Sequence, residues 1–370
     1  MTGDFAGGRL TIDLAALAEN WRTLRAISPA SECAAVVKAD AYGIGLERAA
    51  RALADAGAKT LFVAHLAEAK IARTAAPGSV VYALNGLPPG AAAAYAQAGV
   101  RPVLGSREEI AEWAAFAAST GADPAAAIHV DTGMNRLGLS PEDFRDMQAA
   151  GGPGFAPALL MSHLACADEP ERPETEAQRR LFAELRALVP ETPASLANSA
   201  GTLNPRTSGG DLSFDLRRPG VSLYGANPVA GLASPLKPVV RLDARIVQVR
   251  DVREGEAVGY GGAERMRRPS RVAVLSLGYA DGILRAGGGR NGAGGAHAVL
   301  AGVSCPYVGR ISMDLTAIDV TDAPEREARR GAWVEVLGDH VGVDDLGRAC
   351  GTIGYEILTS LGARYARRYV

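Results

Sequence analysis

Lys38 closes the apolar run Ala34-Ala35-Val36-Val37 and stands before Ala39-Asp40-Ala41-Tyr42-Gly43, whose composition is that of a turn. An amine held beside apolar side chains and other cations gives up its proton more readily than one in water. A Schiff-base lysine needs that property near neutral pH. A surface lysine at a strand end is the plain alternative. Other polar residues follow apolar runs in the same way: His163 after Pro157-Ala158-Leu159-Leu160-Met161-Ser162, Asn198-Ser199 after Ala194-Ser195-Leu196-Ala197, and Arg218 ahead of Pro219-Gly220-Val221. Singly they could be a core histidine, a helix cap and a turn. Ser199, Ala200, Gly201 and Gly220 are small enough to let backbone N–H groups approach a phosphate.

Elements that would bring such residues together are visible between residues 10 and 225. Apolar, β-branched runs at 34–38, 60–64, 79–84, 100–104, 126–131, 157–163, 194–198 and 217–224 alternate with Ala-rich helical stretches. In one of these stretches Leu14, Leu17, Ala18, Trp21 and Leu24 form one apolar stripe behind an Asp13 cap. Strand and helix repeated eight times predicts a (β/α)₈ barrel over 1–230, although an open doubly wound sheet has the same local pattern. In a barrel the C-terminal strand ends form one site, with phosphate commonly bound after the seventh and eighth strands. After Asn227-Pro228, two-residue alternation in 238–252, 271–282 and 331–341 predicts a smaller, mostly β domain over 231–370. The glycine-rich stretch Ala286–Ala298 is expected to be an exposed, mobile loop, and lacks the strand-to-helix context of a phosphate cradle.

Composition narrows the partners. A net charge of −2 carries no footprint for nucleic acid, so a small-molecule substrate is expected. No apolar run is long enough for a membrane span, and the N-terminus lacks a basic segment followed by an apolar one. Cys33, Cys166, Cys305 and Cys350 have neither zinc-type nor CxxC spacing, so buried free thiols and a cytoplasmic location are expected.

Several segments, in order, resemble the alanine racemase family of fold-type III pyridoxal-phosphate enzymes: Val37–Gly43, Asp131–Gly138, Ser162-His163, Asn198-Ser199, Arg218–Gly220 with Leu223–Gly225, Gly278–Gly282, Val308–Asp314 and Tyr355-Glu356. The resemblance implies a pyridoxal 5'-phosphate enzyme interconverting L- and D-alanine and supplying D-alanine for peptidoglycan. Lys38 would carry the cofactor and move a proton on one face of the substrate Cα, with Tyr279 serving the opposite face. Tyr42, Ser199, Gly220, Val221 and Tyr355 match phosphate-binding positions, with Asn198 nearby. His163 matches the residue packed on the pyridine ring, Arg218 the partner of its nitrogen, and Arg136 the arginine near the cofactor phenolate and substrate carboxylate. A head-to-tail homodimer is implied, in which Tyr279 and Met313 of one subunit complete the barrel site of the other. This chain departs from the family at three positions: Asp40 where asparagine is frequent, Ile44 where histidine is frequent, and His129 where a carbamylated lysine commonly braces the arginine matching Arg136. A broad-specificity racemase, another fold-type III enzyme or a non-catalytic carrier of pyridoxal phosphate remain alternatives. The β domain bearing Tyr279 speaks against the carrier, and small Val221 with Met313 favours a short substrate side chain.

Overall fold

The computed structural model describes residues 5–121, 124–229, 231–289 and 295–370. Seven parallel strands, Ala35–Val36, Thr60–Val63, Val80–Ala83, Val100–Leu104, Ala127–His129, Leu159–Met161 and Ala194–Ser195, pair in chain order. Helices fill the connections between them. The eighth segment closes the ring. Leu216–Arg217 pairs in parallel with Glu32–Cys33, and Ala34 N donates to Arg217 O and Val36 N to Pro219 O. On its other side Asp215 N donates to Ala194 O and Arg218 N to Ala197 O. A doubly wound sheet would reverse its strand order at a switch point. This sheet never reverses, and the barrel is the fold.

The first helix, Leu14–Ile27, starts as its sequence demands: the Asp13 carboxylate accepts from Ala16 N at 2.8 Å, and Leu17, Trp21 and Leu24 are buried. Its C-terminal end has a partner the sequence did not reveal. Arg217, fully buried, donates to the carbonyls of Leu24, Arg25, Ser28 and Ser31, satisfying groups that a helix end leaves unpaired.

Several strands are shorter than the apolar runs that announced them. The eighth run, expected to be extended over 217–224, is strand only at Leu216–Arg217 and then winds into a 3₁₀ helix at Val221–Tyr224. Pro219 has no N–H to offer a ladder, and the next amide, that of Gly220, is taken by the Ser199 hydroxyl at 2.8 Å. The seventh likewise stops at Ser195, and Asn198 caps a short helix at Ser199–Leu203.

The remaining sheet is largely antiparallel and centres on the long strand Val240–Val252, flanked by Trp333–Leu337 and Ser270–Leu275. One of its strands does not come from the C-terminal half. Gly8–Ile12 pairs antiparallel with Val240–Ala244 and parallel with Ala366–Tyr369, so the assignment of the whole 1–230 segment to the barrel fails at its first strand. Two short helices, Val343–Ala349 and Gly354–Thr359, complete this part.

The expectation of an exposed loop at Ala286–Ala298 is also corrected where it can be checked. Gly287, Gly288, Gly289 and Ala296 are buried, and a Cβ on Gly289 would lie 2.2 Å from Tyr307 O. Glycine serves here for close approach of backbones. Residues 290–294 of that stretch lie outside the described residues. The four cysteines are free, three buried and Cys166 half-buried. Among the described residues no helix is long and apolar enough to cross a membrane.

Candidate active site

A cleft of about 600 Å³ at the C-terminal ends of the barrel strands is lined by Lys38, Tyr42, Arg136, His163, Asn198, Ser199, Arg218 and Gly220. The helix Gly354–Thr359 and its preceding residues add Tyr355, Ile353 and Glu356 to the wall.

Lys38 follows the first barrel strand, and the backbone beyond it turns left-handed. Ala39, Asp40, Ala41 and Tyr42 have φ of 55°, 52°, 52° and 53°, a region that costs an L-residue about 1–2 kcal/mol. Gly43 N to Ala39 O and Gly45 N to Asp40 O, both at 2.9 Å, close the turn. Asp40 is well used here: its carboxylate accepts from Leu46 N at 2.7 Å and so starts the following helix. Burial lowers the proton affinity of the Lys38 amine, the Arg136 charge lowers it further, and Glu68 acts in the opposite sense.

Arg218 is buried and donates to neutral oxygens only: Ser195 Oγ, Ser162 O at 2.6 Å and Leu196 O at 3.4 Å. No carboxylate of the described residues pairs with it, and burial pulls its ionisation down to about 9. His163 is driven well below the usual imidazole range, by burial first and then by Arg218 and Arg136. The imidazole is therefore neutral. His129 is buried and lowered to about 4, by burial and then by Arg218, with Asp131 opposing and Arg136 adding to the effect. His129 thus sits within electrostatic reach of Arg136 as a neutral group. Arg136 itself is exposed and makes no hydrogen bond or ion pair among the described residues. Its loop is shaped by Asp131, whose carboxylate accepts the N–H groups of Gly133, Met134 and Asn135, each at 2.9 Å.

At the other strands the Ser199 hydroxyl accepts from Gly220 N at 2.8 Å and Ser222 N at 3.4 Å, while the Asn198 side chain caps Gly201 N at 3.1 Å. Val221 is buried immediately behind Gly220. The Tyr42 ring stacks on Tyr224 at 4.6 Å and meets Tyr355 at 6.2 Å. Burial raises the proton affinity of both Tyr42 and Tyr355, the latter to about 12, so both are neutral donors. A Cβ on Gly220 would lie 2.3 Å from the Tyr42 hydroxyl. Only glycine leaves that space. Small residues, phenol hydroxyls and two arginines, Arg136 and Arg218, that pair with no carboxylate of the described residues suit a phosphorylated, anionic guest.

Two expected site residues stand apart from the cleft. Tyr279 and Met313 are brought together with each other, through Tyr279 N to Ser312 O and Ala280 N to Met313 O at 3.0 Å. A Cβ on Gly278 would lie 2.3 Å from both acceptor carbonyls. The two side chains are 44% and 54% exposed and line no wall of the barrel cleft.

Sequence reasoning missed two residues that support the cleft. Glu68 accepts from Ala39 N at 2.7 Å and from Ala64 N at 2.8 Å. A Glu three residues into a helix is a capping signal, but His65 in the cap position hid it. Gln178, buried, donates to Thr132 Oγ1 at 3.2 Å and His163 O at 2.9 Å and accepts from Ala165 N at 2.9 Å. It ties the Arg136 loop to the His163 strand end, with no local signal in the sequence.

Known proteins with this arrangement are numerous. Residues 12–228 match the family model of the alanine racemase N-terminal domain and residues 239–369 that of the C-terminal domain. The chain is 53% identical to an alanine racemase of Methylobacterium sp. (strain 4-46), over 98% of both chains. Its structure resembles that of an alanine racemase from Bartonella henselae with covalently bound pyridoxal phosphate (37% identity, TM-score 0.91, 99% of this chain and 100% of that one). It also resembles a biosynthetic alanine racemase from Pseudomonas aeruginosa (36% identity, TM-score 0.88, the same coverage). Barrel, cleft and sequence agree, and the chain belongs to the alanine racemase family.

Proposed function

We propose that the chain interconverts L- and D-alanine with pyridoxal phosphate carried on Lys38, the reacting Cα lying between Lys38 and Tyr279 of a second copy. The observation that carries this reading is the cleft itself: a lysine of weakened proton affinity and a buried arginine without a carboxylate, in one space. Of the four lysines in the chain, at 38, 59, 70 and 237, only Lys38 lines that space.

When bound, the cofactor supplies an electron sink for the pair left behind when the Cα proton departs. The chain does the rest. Ser199, Gly220, Val221, Tyr42 and Tyr355 would hold the phosphate, with Asn198 fixing the short helix that begins at Ser199. His163 would pack on the ring as a neutral imidazole. Arg218 would donate to the ring nitrogen. A guanidinium does not readily surrender its proton there, so the sink stays weak and the chemistry stays confined to proton exchange. Arg136 would hold the substrate carboxylate, its charge uncommitted among the described residues.

Racemisation requires a proton to leave one face of Cα and return on the other. A single base that cannot cross the plane restores what it removed. Lys38 and Tyr279 divide the faces, Lys38 serving the D face and Tyr279 the L face. Because Tyr279 and Met313 are exposed and away from the cleft of their own chain, a head-to-tail homodimer that places them over the partner's cleft completes the site. The product meets the need for D-alanine in peptidoglycan, and four free thiols suit an enzyme of the cytoplasm.

The test is to incubate the purified protein with single L-amino acids, with and without pyridoxal phosphate, and resolve the enantiomers. L-Alanine is expected to approach an equal mixture only with the cofactor. Borohydride reduction followed by peptide mapping should place the pyridoxyl group on Lys38. Recovery on Lys59, Lys70 or Lys237, or racemisation surviving Lys38→Ala, would overturn the assignment.

A further inference from the structure

Four successive non-glycine residues in the left-handed region do not hold themselves there, and the surroundings must over-determine them. The far end of the turn is held by Asp40, through Leu46 N, and by its own backbone bonds. The near end, next to Lys38, is held by one side chain. Glu68 Oε1 accepts from Ala39 N at 2.7 Å, while Oε2 accepts from Ala64 N at 2.8 Å and His65 N at 3.3 Å. Ala64 and His65 follow the second barrel strand, Thr60–Val63. One carboxylate therefore clamps the end of the first strand, where Lys38 sits, to the end of the second.

The charges facing Lys38 give the same carboxylate a second effect. Arg136 comes from the loop after the fifth strand, His163 from the sixth and Arg218 from the eighth, while Tyr42, Tyr355 and Glu356 line the remaining wall. Glu356 is engaged by the Thr352 hydroxyl and Asp40 by Leu46 N. Glu68 is the carboxylate that acts on the amine against Arg136.

We propose that Glu68 is a positioning residue for the reaction, fixing the first peptide of the left-handed turn, hence the direction of the Lys38 side chain, and balancing the cations around its amine. It touches neither substrate nor cofactor and acts through Lys38. The inference rests on Lys38 being the cofactor lysine.

The test compares the whole protein with Glu68→Gln, which keeps the size but loses the charge and one acceptor oxygen, and with Glu68→Asp, which keeps the charge. In cofactor-free protein, the ionisation of Lys38 is read from the ¹³C shift of its reductively methylated amine against pH, assigned with Lys38→Ala. Glu68→Gln should lower that ionisation by about one pH unit and Glu68→Asp should keep it within about 0.3 unit. In cofactor-loaded protein, Glu68→Gln should lower kcat about tenfold or more with KM within about twofold, and move the acidic limb of the kcat profile down in pH. An unchanged Lys38 ionisation, or a kcat loss no larger than the loss of folded protein by thermal melting, overturns the proposal. Failure of the cofactor assignment is separately visible, since borohydride would then mark another lysine while the cofactor-free titration of Lys38 still reads Glu68.

Discussion

Gly220→Ala isolates the geometry of the proposed phosphate cradle. Gly220 has φ −120°, so alanine is not barred by its backbone angle. The obstacle is contact: the new methyl would lie 2.3 Å from Tyr42 Oη, 3.2 Å from Tyr42 Cζ and 3.4 Å from Val36 Cβ. Tyr42 is 5% exposed and packed against Tyr224 and Tyr355, so its ring has no free direction of retreat. Overpacking of this kind costs about 1–3 kcal/mol. If half or more of that is felt when the phosphate enters, affinity for pyridoxal phosphate falls by roughly 2- to 140-fold, at 1.4 kcal/mol per tenfold. The Oη atom makes the worst contact, and Tyr42→Phe deletes it. The Gly220→Ala penalty should therefore be smaller in the Tyr42→Phe background, with a coupling of about 1–2 kcal/mol. Thermal melts and cofactor titrations of the four proteins measure both terms, with Gly78→Ala as control because a Cβ there meets nothing within 4 Å. Strictly additive penalties would refute the contact argument.

Two further outcomes follow from the cleft and the exposed tyrosine. His129 is held near 4 in the folded protein against about 6.5 in the unfolded chain. The unfolded chain therefore takes the proton first, and stability should be full above about 6.5 and fall by up to about 1.4 kcal/mol per unit between 6.5 and 4. Urea unfolding across that range should give a flatter slope for His129→Gln, and an unchanged slope would show that His129 is not the group titrating. Mixing equal amounts of Lys38→Ala and Tyr279→Phe protein should restore about a quarter of wild-type turnover, since half the dimers are mixed and each has one intact site. Mixed dimers seen by mass spectrometry without recovered activity would remove the shared site.

Lys38, His163, Asn198 and Arg218 were legible because a barrel gathers its strand ends, so position along each apolar run already says which residues meet. The supports of that site were not. Glu68 reaches Ala39 N, 29 residues back, and Gln178 reaches His163 O, 15 residues back, and no local period records such bonds. The turn after Lys38 was legible but its left-handedness was not, because Ala39-Asp40-Ala41-Tyr42 holds no glycine or asparagine, the residues that usually mark it. Gly8–Ile12 has its partners in residues 240–244 and 366–369, and a five-residue strand carries nothing to announce so distant a pairing. In Ala286–Ala298 the glycine content suggests that nothing can pack, whereas Gly287 lets Cys350 approach where a Cβ would lie 2.8 Å from its sulfur. Glycine content shows where side chains are missing and is silent on whether a backbone fills the gap.

The lowered proton affinities in the cleft share one origin. Lys38, His129, His163 and Arg218 are all shifted toward the neutral form, burial being the largest cause for each, and Arg136 or Arg218 adds to the effect on the first three. Cations converge on this space while the wall contributes one carboxylate, Glu356, already engaged by Thr352. Such an excess costs stability in a protein that must fold before it binds anything. It is offset when an anionic guest enters, and the free energy returned is binding energy. The same excess weakens the hold of Lys38 on its proton, so in the proposed function one imbalance both draws the phosphate in and readies the amine that reacts with the cofactor. Glu68 limits the effect from the second strand end. Without an opposing charge, an amine too weakly basic to take the Cα proton would serve the first task and fail the second.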